Sequence, residues 1–157
     1  RMDTEFEQLS LDSCLDEALS RLQAVIDERN AIVERTPLPE LTVVRGRMTQ
    51  LLQNLISNAL KFQPGDRPVV RIRATEQETA WLIQVEDEGI GISSEHSERI
   101  FQIFQRLHTA DEYEGTGIGL AICRKIVQSH DGKIWVDPDY SGGTRIALSL
   151  PAIRSDA

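Results

Sequence analysis

Cysteine is scarce in this chain of 157 residues: Cys14 and Cys123 are the only two. Far apart in sequence, they match no metal-ligand spacing and read as free thiols with packing roles in a reducing compartment. A disulfide-stapled secreted mini-protein is excluded. Long apolar runs are missing too, because LLQNLI and WLIQV are broken by polar residues well short of the ~18 that a membrane span needs. With no span and no secretory signal, the expected location is the cytoplasm, without membrane insertion. Basic charge is outnumbered, 17 Lys and Arg against 25 Asp and Glu, for a net charge of −8. The imbalance is concentrated at the start, where residues 1–40 hold 4 Arg against 10 acids. Nonspecific nucleic-acid binding is therefore disfavoured. A local anion site remains open, since salt limits the reach of distant acids to about 10 Å.

Hydrophobic residues at 40% and charged residues at 27% are ordinary for a folded domain. A chain of this length can bury about 70% of the surface it exposes when unfolded, enough for one core. The sequence opens on Arg1 with a polar, acidic lead-in, which reads as a segment of a longer protein. FEQLSL reads as a short strand. A helix is expected from Asp12 or Ser13 to near Arg35, on apolar residues at 15, 18, 19, 22, 25, 26, 32 and 33, ahead of Pro37 and Pro39. LTVV is a brief strand and 47–62 a second helix. Residues 69–76 and 80–87 form a hairpin by their alternation. A short helix over 94–102, a helix from Gly117 to about Asp131, and strands KIWVD and TRIALSL complete the pattern. The fold class expected is a two-layer α/β sandwich, with helices on one face of a mixed, largely antiparallel sheet.

Chemistry gathers at four places. On the second helix, Met48, Leu51, Leu52, Leu55, Ile56 and Ala59 share one face, while Asn54, Asn58 and Lys61 form a polar stripe about 60° wide bordering it. Asparagine is a poor helix former, and two of them four apart beside a lysine suit a hard cation next to an anion. In AWLIQVED, alternation puts Asp87 on the apolar face with Trp81, Ile83 and Val85, where a carboxylate needs a donor. Gly89 and Gly91 follow, open to close approach by a flat ligand. Gly115, Gly117 and Gly119 lead into a helix whose N-terminal amides suit phosphate. Their spacing is neither a P-loop nor a dinucleotide fingerprint. Gly142-Gly143-Thr144, before the last strand, is weak by itself.

Taken in order, these motifs closely resemble the catalytic and ATP-binding domain of sensor histidine kinases. That domain belongs to the Bergerat-fold superfamily shared with gyrase-type and MutL-type ATPases. QLLQNLISNALKF resembles the N box, DEGIGI the first glycine box, IFQIF the F box, GTGIGLAI the second glycine box and GGT the last. The run FQRLHTADEYEGTGIGLAICRKIV is similar to the phytochrome-like subset. The resemblance spans about residues 5–151. It implies that residues 1–11 are the end of a preceding helical hairpin or linker plus the first strand, 12–151 the ATP-binding domain and 152–157 a tail.

The resemblance also implies roles. Asn58 would ligate Mg²⁺ on the ATP phosphates with help from Asn54, Lys61 would meet phosphate, and Phe62 would line the adenine. Asp87 would accept from the adenine amino group, with Gly89, Gly91 and Ile92 beside the base and Thr144 beneath it. Phe101 and Phe104 would anchor a lid over 105–114. Arg106 would reach the γ-phosphate, and Gly115, Thr116, Gly117, Gly119 and Leu120 would hinge that lid and offer amides. The implied activity is protein-histidine kinase, in a two-component phosphorelay. The acceptor histidine would lie on a separate dimerisation hairpin, and a response regulator would be the indirect partner. His96, His108 and His130 lack an acceptor context and read as surface or lid residues. Two positions depart from the family: His130-Asp131-Gly132 where two glycines often follow the histidine, and Arg145-Ile146 where an aromatic is common. An ATP-hydrolysing switch would place a glutamate at position 54, but Asn54 cannot act as a base. A silent interaction module is the remaining alternative.

Overall fold

Ser10 ends the first strand and begins the first helix. In the computed structural model, which describes residues 5–61, 63, 65, 67–89, 91, 99–101 and 116–153, with backbone alone at 99 and 116–118, β1 is Phe6–Ser10. The Ser10 Oγ then accepts the Asp12 amide at 3.1 Å as N-cap of α1 (Leu11–Arg21). The cap is thus Ser10, not Asp12 or Ser13. A break at Leu22 separates α1 from α2 (Gln23–Arg29), and Asn30, left-handed at φ 53°, stops the helix.

The expected continuation to Arg35 is wrong. Ile32–Arg35 form β2, parallel to β4 with Ile32 opposite Val69. Two apolar residues at 32 and 33 satisfy either period, and β-branching favours the strand. β3 (Glu40–Val44) pairs antiparallel with β1 as a separate two-stranded ribbon, and α3 runs over Arg45–Lys61. The hairpin has the expected bounds, β4 (Val69–Glu76) and β5 (Ala80–Asp87), with Ile72 opposite Val85. A 3-10 turn occupies Arg99–Phe101; the rest of the expected 94–102 helix lies outside the described residues. α4 (Thr116–Ser129), β6 (Lys133–Val136) and β7 (Thr144–Pro151) close the chain.

The main sheet has the order β2-β4-β5-β7-β6, with only β2 and β4 parallel. α3 lies between α1 and α4 and packs on β4 and β5, while α4 also rests on β6. Leu51, Leu55 and Ile56 of α3 meet Ile72, Ile83 and Leu148 of the sheet in one core. No helix among the described residues is long and apolar enough to cross a membrane.

Two side chains fix the exit of α3. The Arg29 guanidinium donates to the carbonyl of Leu60, in the last turn of α3, and to those of Gln63 and Gly65 just beyond it. Gln63 is buried and donates to Ala59 and Val69 while accepting the Val69 amide. Together they tie the end of α3 to α2 and β4.

Candidate functional site

Asp87 is the last residue of β5, on the helix-covered side of the sheet, and only 7% exposed. Its Oδ1 accepts two amides, Gly89 at 2.8 Å and Thr144 at 3.2 Å. Oδ2 has no partner among the described residues. Burial pushes the carboxyl pKa up to about 6, against the pull of the two N–H bonds, which favour the charged form. An inward carboxylate with one oxygen fixed and the other available is suited to reading a donor on a ligand.

The glycines around it are packed backbone against backbone. A Cβ at Gly143 would lie 1.9 Å from the Asp87 carbonyl oxygen, and Gly91, at φ +79°, faces the Gly143 carbonyl. The DEGIG and GGT motifs, more than fifty residues apart, thus form one surface, with the half-turn at Gly89 held by Asp87. Thr144 is buried opposite Asp87 in the β5–β7 register. Any side chain at 143 would push the two motifs apart.

α3 brings the second group. Asn54 and Asn58 are half-buried and Lys61 is exposed, bordering the buried face. The Asn58 Nδ2 donates to the Asn54 carbonyl at 3.0 Å, and the Asn54 Nδ2 reaches the Gly119 carbonyl at 3.5 Å. Both amide nitrogens are directed at backbone oxygens, and the Oδ1 atoms are oxygen donors of the kind that a hard cation takes. The Gly119 contact also joins the second glycine motif, at the start of α4, to the asparagine pair. Leu120 and Phe101 are buried in the core, Phe101 with the Arg124 guanidinium 5.7 Å from its ring centroid. Phe62, Ile92, Phe104, Arg106, Gly115 and the expected 105–114 lid lie outside the described residues, and Thr116 and Gly117 are described by backbone alone.

His130 corrects the expectation of a surface histidine. It is 3% exposed, its Nε2 accepts the Val44 amide at 3.1 Å, and its Nδ1 donates to the Ile126 carbonyl at 2.7 Å. Its ring packs on Phe6 at 5.1 Å. It fastens the end of α4 to the β1–β3 ribbon. The neighbouring departure also has a cause: Asp131 occupies a left-handed position at φ 63°, which aspartate tolerates, while a Cβ at Gly132 would lie 2.1 Å from the Ser149 carbonyl oxygen. Only the second glycine is sterically obligatory.

Sequence reasoning missed the far side of the sheet. Glu86 faces away from Asp87, yet is 1% exposed. Its Oε2 accepts from Arg145 Nε at 2.8 Å and Nη2 at 2.7 Å, and its Oε1 lies 3.7 Å from Arg73. Arg145 also pairs with Asp137 at 3.0 Å and lies 4.4 Å from the Tyr140 ring centroid. Arg71 bridges Glu34 and Glu88. An acid and a base 59 residues apart carry no local signal.

Comparison with known proteins agrees with this geometry. The family described as histidine kinase-, DNA gyrase B-, and HSP90-like ATPase matches residues 44–154. Cyanobacterial phytochrome A of Nostoc sp. is 44% identical over 154 residues, 96% of this chain and 20% of that protein. The phytochrome-like protein Cph1 of Synechocystis sp. is 42% identical, over 96% of this chain and 21% of its own length. The chain therefore spans about a fifth of these relatives. Among solved structures, the nucleotide-free catalytic domain of histidine kinase ThkA superposes with a TM-score of 0.82 at 28% identity, covering 96% of this chain and 98% of that one. ThkA in complex with response regulator protein TrrA gives 0.77 at 25% identity, covering 97% and 43%.

Proposed function

Because this chain belongs to the family of histidine kinase-, DNA gyrase B- and HSP90-like ATPases, and within it to the catalytic domains of sensor histidine kinases, we propose that it binds Mg·ATP and presents the γ-phosphate to a histidine on a separate helical hairpin. The observation that carries this reading is the convergence on Asp87. One carboxylate oxygen is held by the Gly89 and Thr144 amides, the other is available to an adenine amino group, and Gly91 and Gly143 let the two motifs close against each other beside it.

The asparagine pair fits a magnesium ion. Two amide oxygens on consecutive turns of α3 are hard donors. Phosphate oxygens and water would complete such a shell. The ion would supply charge neutralisation on the transferring phosphoryl group. Asn58 and Asn54 orient the phosphates and Lys61 adds positive charge beside them. Phosphoryl transfer then depends on positioning, with the nucleophile supplied by the partner hairpin.

Hydrolysis is not the reading favoured, because Asn54 has no basic lone pair to activate water. A response regulator would take the phosphoryl group from the hairpin, as the ThkA complex with a response regulator encourages. Residues 1–11 would then continue from the hairpin, 12–151 form the catalytic module and 152–157 trail it, in the reducing, ATP-rich cytoplasm that two free buried thiols suit.

The test is transfer in trans. Incubated with γ-labelled ATP, this chain should stay unlabelled, while a separately prepared hairpin from the same parent should gain acid-labile, alkali-stable label. Label on the chain itself, or brisk phosphate release without the hairpin, would favour the hydrolysing alternative.

A further inference from the structure

The end of strand β5 and the residue after it carry three successive carboxylates: Asp87, the last residue of the strand, turns to the helix-covered side, while Glu86 before it and Glu88 after it meet arginines on the other. Both outer acids are held by arginines from neighbouring strands. Glu86 is clasped by Arg145 of β7 through two nitrogens, and Glu88 by Arg71 of β4 at 2.5 Å. Asp87 cannot rotate about the strand without disturbing the contacts of its two neighbours.

Arg145 directly follows Thr144. In the β5–β7 register Glu86 faces Arg145 and Asp87 faces Thr144, so the buried ion pair and the amide that holds Asp87 are adjacent rungs on the same two strands. Beyond them the ladder ends. The same guanidinium reaches back to Asp137 and packs on Tyr140, and so grips the 137–143 loop that delivers Gly142 and Gly143. One side chain thus holds both the end of β5 and the 137–143 loop from behind.

A buried ion pair is a poor source of stability, because desolvation cancels much of the attraction, and an apolar pair of similar size often serves as well. What the pair supplies is register. Each oxygen of a Glu86 carboxylate that is only 2% exposed has an arginine partner, which fixes strand alignment where fraying would otherwise begin.

We propose that Glu86 and Arg145 are positioning residues of the nucleotide site: from the open face of the sheet they lock the end of the β5–β7 ladder and thereby set the Asp87 carboxylate and the Gly143 backbone against the adenine edge. The inference rests on the assignment of Asp87 to adenine in the proposed function.

The experiment is calorimetric titration of the chain with Mg·ATP and with Mg·ITP, which differs from ATP in carrying a carbonyl in place of the 6-amino group. Wild type should prefer ATP. Glu86→Gln keeps shape and loses charge, and Arg145→Met keeps length and loses the fork. Each should weaken ATP about tenfold and leave ITP unchanged, so that base discrimination narrows. The double variant should lose no more than the weaker single, as expected of a unit. Arg35→Met, which removes an arginine bonded to Asp12 and Asp16 on the α1 side, should leave both affinities unchanged. If Glu86→Gln and Arg145→Met bind ATP like wild type while Asp87→Asn loses discrimination, the positioning role is wrong and the adenine assignment stands. Equal affinity of wild type for ATP and ITP would overturn both.

Discussion

The amide of Thr144 donates to the Oδ1 of Asp87 at 3.2 Å across 57 residues of sequence, at the end of the β5–β7 ladder. That bond joins a motif that is informative by itself to one that is not. Gly142-Gly143-Thr144 acquires its meaning from lying against Asp87. The consequences can be measured on stability as well as on binding.

Asp87 is held charged against its surroundings at neutral pH, since burial raises its pKa to about 6 from a model-compound value of 3.8. A carboxyl whose pKa rises on folding favours the folded state while protonated, so its contribution is fully present below about pH 4 and is lost as pH climbs through about 6. The cost at neutral pH is on the order of 3 kcal/mol. Asp87→Asn, whose Oδ1 can keep both amides, should therefore be about 1 to 3 kcal/mol more stable than wild type at pH 7 without nucleotide, a third to all of that cost. Urea unfolding at pH 4 and pH 7 checks this: the gap between the two proteins should widen with pH. A constant gap would contradict the buried charge.

Backbone contact makes Gly143 and Gly132 intolerant of a side chain. Alanine at 143 would drive a methyl into the Asp87 carbonyl and at 132 into that of Ser149, and each should cost about 2 to 4 kcal/mol in thermal or denaturant unfolding. Equal stability of Gly132→Ala and wild type would refute the close approach.

Asn58 tests the cation. Replacing it with alanine removes an Oδ1 donor while leaving the helix face that packs the core intact. Affinity for Mg·ATP should fall about tenfold or more and metal-free ATP binding should change little. Equal loss with and without Mg²⁺ would assign Asn58 to the nucleotide instead.

The hairpin was legible because two eight-residue strands alternate in period two, and that alternation alone turns Asp87 inward. The polar stripe of α3 was legible for the same reason, with period 3.6. β2 was not, because four residues cannot separate the two periods and the Asn30 turn that ends the helix depends on one backbone angle. Arg29 capping a helix 31 residues away, Glu86 buried by Arg145, and His130 buried under Phe6 all depend on tertiary contact. In sequence each looks like an ordinary surface residue.

Nucleotide titration of this chain tests the account most directly. Mg·ATP should bind, and Mg·GTP should bind at least about a hundredfold more weakly, because a guanine carbonyl would face the Asp87 carboxylate where adenine offers an amino group. In Asp87→Asn that preference should collapse. No binding of ATP, or equal binding of ATP and GTP by the wild-type chain, would contradict the reading of Asp87 as the residue that recognises adenine.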